Sequence, residues 1–322
     1  MAITTFPKFA GIGRTASLLD EELILLGNDD LGTKEGRYVS IQKPRDGLLA
    51  MKYSIQNMSL SGSPHRHLSL VSKNTLAVVG GKFKSRGMLS KLTWTELSLH
   101  WQNGSKFNPD FVASCAVKLG ADVHIIFGGA PNANQQEIGG RQVVKINTTE
   151  QRAFEMEPME HGRMSHGCQL LNASVVLLSG GLDRSVIQPD ELYNVTSEKV
   201  VKVLELQQSL RRIQHTVIRM NERVYALGGV DSNNDTPSKI AEFNTTTNAW
   251  YELTQELHST NTSELVVTPY PISSLDCVPE CRCGIAKRDS RIFGGSVAEV
   301  RNTPGCRINL SFASFFVNPC PG

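Results

Sequence analysis

The sequence predicts an all-β fold, a β-propeller of five or six four-stranded blades followed by a short cysteine-rich C-terminal segment. Three observations carry that prediction. Apolar runs of four to six residues recur along the chain, each bounded by Asn, Asp, Gly, Ser or Thr, which is strand punctuation. Four of these runs end on a pair of glycines. The first glycines of those pairs, Gly80, Gly128, Gly180 and Gly228, are spaced by 48, 52 and 48 residues. A period of about 50 residues with four short strands per copy marks a propeller blade, which cannot bury both faces alone and is stabilised by stacking on its neighbours.

The clearest copy runs from Arg212 to Trp250. A short run, Gln214 to Arg219, leads to a turn at Asn221-Glu222. The run Val224 to Leu227 ends on Gly228-Gly229, and after a polar loop a third run, Ile240 to Phe243, meets a turn at Asn244 to Asn248. Trp250 opens the fourth. The other copies follow from it in chain order: a worn one at Leu23 to Asn28, then Leu76 to Gly81, Val123 to Gly129 and Val175 to Gly181. Paired glycines permit a tight turn at positive φ and close approach of neighbouring backbones. Gly80, Gly81, Gly128, Gly129, Gly180, Gly181, Gly228 and Gly229 are therefore expected to be structural.

Aromatic residues follow the pairs at set distances: Trp94, Tyr193 and Phe243 first, then Trp101 and Trp250 seven residues after Trp94 and Phe243. They suit the wedge between blades, where large apolar area is needed. His67, His166 and His215 precede the first glycines by 13 or 14 residues, with Arg163 and Arg212 three residues ahead of the last two. Such residues, repeated at one blade position, read as makers of the same intrablade hydrogen bonds rather than as a ligand set. The copy at Gly128 departs, with Ser114 at the histidine position and Ile146 arriving late after the inserted loop Asn132 to Gly140. With these features the chain resembles the kelch family over roughly Ala10 to Tyr270. The resemblance implies a propeller over 10–270 that acts by binding a macromolecular partner and carries no cofactor. Some kelch-like propellers are copper oxidases, but nothing here marks the paired tyrosines and histidines which that site requires.

Composition narrows the functional classes. The chain has 322 residues, is 40% hydrophobic and carries a formal net charge of +2. It is long enough for one large β domain plus a small appendage. No basic face with interleaved aromatics points to nucleic acid, and no apolar run approaches the roughly 18 residues of a membrane helix. The first residues lack the apolar stretch of a signal peptide. Secretion is nonetheless expected, with an upstream leader missing from the chain, because of two features. Asn-x-Ser/Thr sequons occur at Asn57, Asn103, Asn147, Asn172, Asn194, Asn234, Asn244, Asn261 and Asn309, most of them at expected turns. Five cysteines, Cys277, Cys281, Cys283, Cys306 and Cys320, crowd the last 46 residues, where a coreless segment would use disulfides. Their spacing lacks the second pair of a zinc site. Cys115 and Cys168 sit singly on apolar runs and read as small buried thiols.

Residues 271–322 form the second expected unit, a linker followed by a segment that resembles the activation junction of trypsin- and chymotrypsin-like serine protease zymogens. Cys283-Gly284 precedes a basic site, Arg291, followed by Ile292-Phe293-Gly294-Gly295. Phe293 replaces the family's valine, and Gly305 stands where a Pro-Trp pair would end. The resemblance implies a cleavable Arg291-Ile292 bond. The triad that the mechanism needs is absent from this sequence, which has no histidine after His258. The expected function is therefore a non-catalytic, secreted propeller that binds an extracellular protein through its inter-strand loops, Lys82 to Met88, Ala130 to Gly140 and Asp231 to Ser238. The alternatives are the regulatory prodomain of a serine protease zymogen and a cytoplasmic kelch adaptor.

Overall fold

The computed structural model describes side chains over residues 112–130, 138–150, 152–205, 210–219, 222–233 and 239–254, with 68, 70–72, 76–79, 235 and 237; beyond these it describes the backbone of the strands named below. Blade one is β1 (Thr15–Leu19), β2 (Glu22–Gly27), β3 (Gly36–Gln42) and β4 (Lys52–Met58). Blade two is β5 (Leu68–Ser72), β6 (Thr75–Val79), β7 (Met88–Thr95) and β8 (Ser98–Lys106). Blade three is β9 (Cys115–Lys118), β10 (Val123–Phe127), β11 (Val143–Asn147) and β12 (Arg152–Met156). Blade four is β13 (Gly167–Leu170) and β14 (Val175–Ser179), a small hairpin of β15 (Leu182–Asp183) and β16 (Val186–Ile187), then β17 (Asp190–Asn194) and β18 (Lys199–Leu204). Blade five is β19 (Thr216–Met220), β20 (Arg223–Leu227), β21 (Lys239–Asn244) and β22 (Ala249–Glu256).

Each blade is a four-stranded antiparallel sheet in sequence order. The worn copy at Leu23 to Asn28 thus builds a whole blade: β2 pairs with β1 and β3 along its length. First strands neighbour one another in turn, β1 beside β5, β5 beside β9, β9 beside β13 and β13 beside β19. The fold is thus all-β, and its repeated four-stranded antiparallel sheets are consistent with kelch-type propeller blades.

The core lies between blades rather than within one. Successive residues of a strand point to opposite faces, so one strand serves two seams. On β10, Ile126 packs with Leu68, Leu70, Ala77 and Val79 of blade two, while Ile125 and Phe127 pack with Val176, Leu178 and Tyr193 of blade four. Leu177 and Leu192 turn the other way, onto Val217, Phe243 and Trp250 of blade five. Middle strands covered on both faces therefore read as unbroken apolar runs, whereas outer strands such as β12 are mostly exposed.

Cys115 and Cys168 do not stay single. They form a disulfide, with Cα atoms 6.0 Å apart, between the neighbouring first strands of blades three and four. The expectation of two buried thiols is corrected because Cys115 is the first residue of β9 and Cys168 the second of β13, and those strands lie side by side.

After blade five come β23 (Thr268–Tyr270), β24 (Arg291–Phe293), and a three-stranded sheet of β25 (Ala298–Thr303), β26 (Cys306–Ser311) and β27 (Ser314–Val317). β23 lies beside both β19 and β1 and pairs with β24, so the boundary expected at 270/271 falls between two paired strands. Of the terminal cysteines, Cys306 begins β26; Cys277, Cys281, Cys283 and Cys320 lie outside the described residues.

Candidate interaction face

The order of strands gives every blade two unlike ends. At one lie the turns joining first to second and third to fourth strands. At the other lie the glycine pairs, the loops from second to third strands, and the connections between blades. The chemistry of the seams holds the glycine-pair end in place.

Gly180 and Gly181 show why the pairs are needed. Both have positive φ, 58° and 89°. A Cβ on Gly180 would lie 2.1 Å from the Arg212 carbonyl oxygen of the next blade, and one on Gly181 would lie 2.6 Å from the His166 Cβ of its own blade. The first glycine thus lets the next blade approach, and the second admits its own histidine. The backbone follows suit: Gly129 donates to the Arg163 carbonyl at 2.8 Å and Gly181 to that of Arg212 at 3.2 Å. Gly80 and Gly81 lie outside the described residues.

Arg163 and Arg212 are almost fully buried. Arg163 donates from Nη1 to the Gly180 carbonyl at 2.7 Å and from Nη2 to Glu191 at 2.5 Å. The Glu191 carboxylate also accepts from the backbone N–H groups of Glu160 and His161, at 3.1 and 2.9 Å. A charge buried this deeply is tolerable only because each oxygen is satisfied. In blade five Ala241 occupies the position of Glu191. Among the described residues Arg212 there donates only to carbonyls, of Gly228 at 3.4 Å and Lys239 at 3.0 Å, and burial pushes its guanidinium below the usual value.

The seam between blades four and five carries a second buried network. His215 Nε2 lies 3.1 Å from Ser179 Oγ. Asp190 accepts from the Gly180 N–H at 2.8 Å and from Trp250 Nε1 at 2.7 Å. Burial pushes the Asp190 carboxyl up to about 6, partly offset by those donors, and drives His215 down to about 3. His166 has no Ser179 counterpart opposite it, since Phe127 stands at that position in blade three. Neither of its ring nitrogens finds a partner among the described residues.

Where side chains are described, Tyr193, Phe243 and Trp250 lie in the buried clusters between blades. Tyr193 meets Phe127 edge to face, centroids 5.4 Å apart, and donates its hydroxyl to the Glu157 carbonyl. Phe243 sits directly opposite Trp250. Blade two differs in register: its tighter turn places Trp94 opposite Leu99 and Trp101 opposite Leu92.

At the glycine-pair end of blade four, the hairpin β15–β16 projects from the sheet. Arg184 and Ser185 at its tip adopt positive φ, 48° and 65°, a hairpin turn usually given to Asn and Gly. Val186 beside them is 59% exposed. The hairpin base is tied down by the Gly139 N–H to Asp183 Oδ1 at 2.9 Å and the Gln188 N–H to the Gly181 carbonyl at 2.9 Å. Sequence reasoning passed over this loop because no apolar run marks it. Of the three loops it did select, Lys82 to Gly87, residues 131–137, and 234, 236 and 238 lie outside the described residues. Asp190 and Glu191 were also missed; their only signal is a pair of acids at the start of an apolar strand.

The expected glycosylation sites divide. Asn147, Asn172, Asn194 and Asn244 lie at turns, each accepting from backbone N–H groups two and three residues on. Asn57, Asn103 and Asn309 lie within β4, β8 and β26, and Asn234 and Asn261 lie outside the described residues. The Arg291-Ile292 bond lies in β24, where Arg291 pairs with Tyr270 and Ile292 with Pro269.

Among the described residues no group of three or more His, Cys, Asp or Glu could hold a metal ion, and no helix is long and apolar enough to cross a membrane. No curated protein matches the chain. The family model of the Kelch motif matches residues 211–255, which is the fifth blade, and with the repeated four-stranded sheets this supports a kelch-repeat protein.

Proposed function

We propose that the chain is a secreted, non-catalytic propeller that binds an extracellular protein with the glycine-pair end of its blades. The Kelch motif suggests a protein-interaction repeat domain. The observation that carries the finer reading is the blade-four hairpin: a strained two-residue turn, anchored at its base, that holds Arg184 and an exposed Val186 clear of the sheet. Backbone strain of about 1–3 kcal/mol per residue persists where the surroundings over-determine it, and often where function uses it. The non-catalytic reading is supported by where the unusual acids and bases sit. Asp190, His166 and His215 are sealed in seams, spent on structural partners or on none.

Secretion draws support from the Cys115–Cys168 pairing, since such a bond persists in an oxidising compartment, and from the sequons. The C-terminal segment is read as a retained, inert activation segment, with Arg291-Ile292 as its junction.

Two measurements test this. The charge-reversing pair Arg184→Glu with Val186→Asp should abolish capture of the partner from extracellular fluid while leaving the melting temperature unchanged; undiminished capture sinks the hairpin assignment. Alkylation of thiols in intact cells should find Cys115 and Cys168 oxidised and the native protein outside the cell. A reduced pair in the cytosol would favour the cytoplasmic adaptor instead.

A further inference from the structure

Four sequons with described side chains fall in one region. Asn147, Asn194 and Asn244 occupy the same place in blades three, four and five, the turn from third to fourth strand, and Asn172 opens the turn between the first and second strands of blade four. Both kinds of turn lie at the same end of an antiparallel sheet. All four asparagines therefore stand at the end of the propeller opposite the glycine pairs and the β15–β16 hairpin.

The side chains are set alike as well. The Asn147 carbonyl oxygen accepts from the N–H groups of Thr149 and Glu150, both at 3.0 Å. That of Asn172 accepts from Ser174 and Val175 at 2.9 Å, and that of Asn194 from Thr196 and Ser197 at 2.9 Å. Asn244 accepts from Thr246 and Thr247 at 2.8 and 3.1 Å. An amide has its oxygen and nitrogen on opposite sides of one carbon. Turning the oxygen inward to cap the turn turns the nitrogen outward, and the nitrogen is the atom to which an N-linked sugar attaches. Asn172 and Asn244 are exposed, and the other two are half-buried.

We propose that Asn147, Asn172, Asn194 and Asn244 carry N-linked oligosaccharides, so that blades three to five are sugar-coated at the turn end, while the sequence places no sequon at the glycine-pair end of blades three and four. The proposal rests on the secretory reading above and adds to it the identity of the acceptors and their one-sidedness. The coated end is closed to a broad protein contact, whereas the blade-four hairpin at the other end lies in a loop without a sequon and stays open to the partner.

The test drives the full chain through the secretory pathway of cultured eukaryotic cells behind an added leader. Sugars are released enzymatically in heavy-oxygen water, and each former site is read by peptide mass. Both the secreted pool and the intracellular membrane pool are analysed, so retention of the chain does not hide the answer. The expected result is the heavy-oxygen mark at all four turn asparagines in most molecules. Unmarked asparagine at two or more of them overturns the proposal, whatever happens at Asn57, Asn103 or Asn309. Because the leader forces entry, this result is independent of where the native protein resides, which the thiol-trapping experiment decides. Changing all four together to Gln should remove the marks and leave capture through the hairpin end unchanged; lost capture with an unchanged melting temperature would overturn the one-sided arrangement.

Discussion

Trp250 donates its indole N–H to Asp190 across the seam of the fourth and fifth blades, at 2.7 Å, between residues 60 apart in sequence. Replacing Trp250 with Phe keeps most of the apolar area opposite Phe243 but removes the donor from a buried carboxyl. A hydrogen bond to a charged group contributes about 1.5–3 kcal/mol, and a loss of that size is expected in urea unfolding. Asp190→Asn should cost a similar amount. The double variant should cost clearly less than the sum, because both changes remove one contact; strict additivity would show the two residues to be uncoupled.

The pH dependence has opposing contributors. Burial, with Lys118 nearby, holds His124 at about 4; burial and Arg212 hold His215 at about 3; burial, Arg163 and His215 hold His166 well below 6.5. A histidine depressed by folding takes up its proton in the unfolded chain first, so stability falls as the pH drops from about 6.5 towards 4. Asp190 acts the other way. Its carboxyl is raised to about 6 by burial, so the folded chain binds that proton first and gains on acidification between about 6 and 4. The expected outcome is a net loss below pH 6.5 that becomes steeper in Asp190→Asn, by about 2–3 kcal/mol across the window. Urea midpoints from pH 7.5 to 4.5 check the sign, and a shallower profile in the variant would contradict it.

The disulfide closes a sequence separation of 53 residues. In the chain-entropy account a loop of that length is worth about 4 kcal/mol. Reducing agent, or Cys115→Ala with Cys168→Ala, should lower the unfolding midpoint by a corresponding amount. Thiol labelling of the oxidised chain in denaturant should spare both positions; labelling of either one without reductant would contradict the pairing.

Glycine substitutions separate geometry from composition. Gly181→Val should fail to fold or lose more than about 3 kcal/mol, since a β-branched residue at positive φ also meets His166. Gly180→Val should behave likewise against the Arg212 carbonyl. Gly120, where a Cβ would meet nothing within 4 Å, is the control, and Gly120→Ala should change the melting temperature little. Equal tolerance at all three would remove the glycine pairs from the packing argument.

The blades were legible in the sequence because their signals are local. A glycine pair, a four-residue apolar run and a turn rich in Asn and Thr each mark a strand end without reference to the rest of the chain. The same holds for Leu23 to Gly27, whose apolar run built its sheet despite a missing second glycine. The seams were not legible, because their chemistry joins residues of different copies. Nothing near Cys115 names Cys168, and nothing near Asp190 names Trp250. Register was also hidden: Trp94 and Trp101 keep the seven-residue interval of Phe243 and Trp250, yet a shorter turn shifts their pairing by two positions. The blade-four hairpin escaped notice because neither Arg184 nor Ser185 is a residue type that marks the positive φ of a two-residue hairpin turn.

The inner mouth of the blades carries a further regularity. Gln214 donates its backbone N–H to the Ser165 carbonyl, and Ser165 donates to that of Ala113, both at 2.7 Å. These three residues are unlike, yet they share φ values of 56°, 54° and 56°. Here the repeat is written in dihedral angles rather than in letters: three copies carry Ala, Ser and Gln while φ stays within two degrees. A search for further members of such an array, or a design of new ones, would do better to copy that torsion and its hydrogen bond to the preceding copy than to copy any side chain found there.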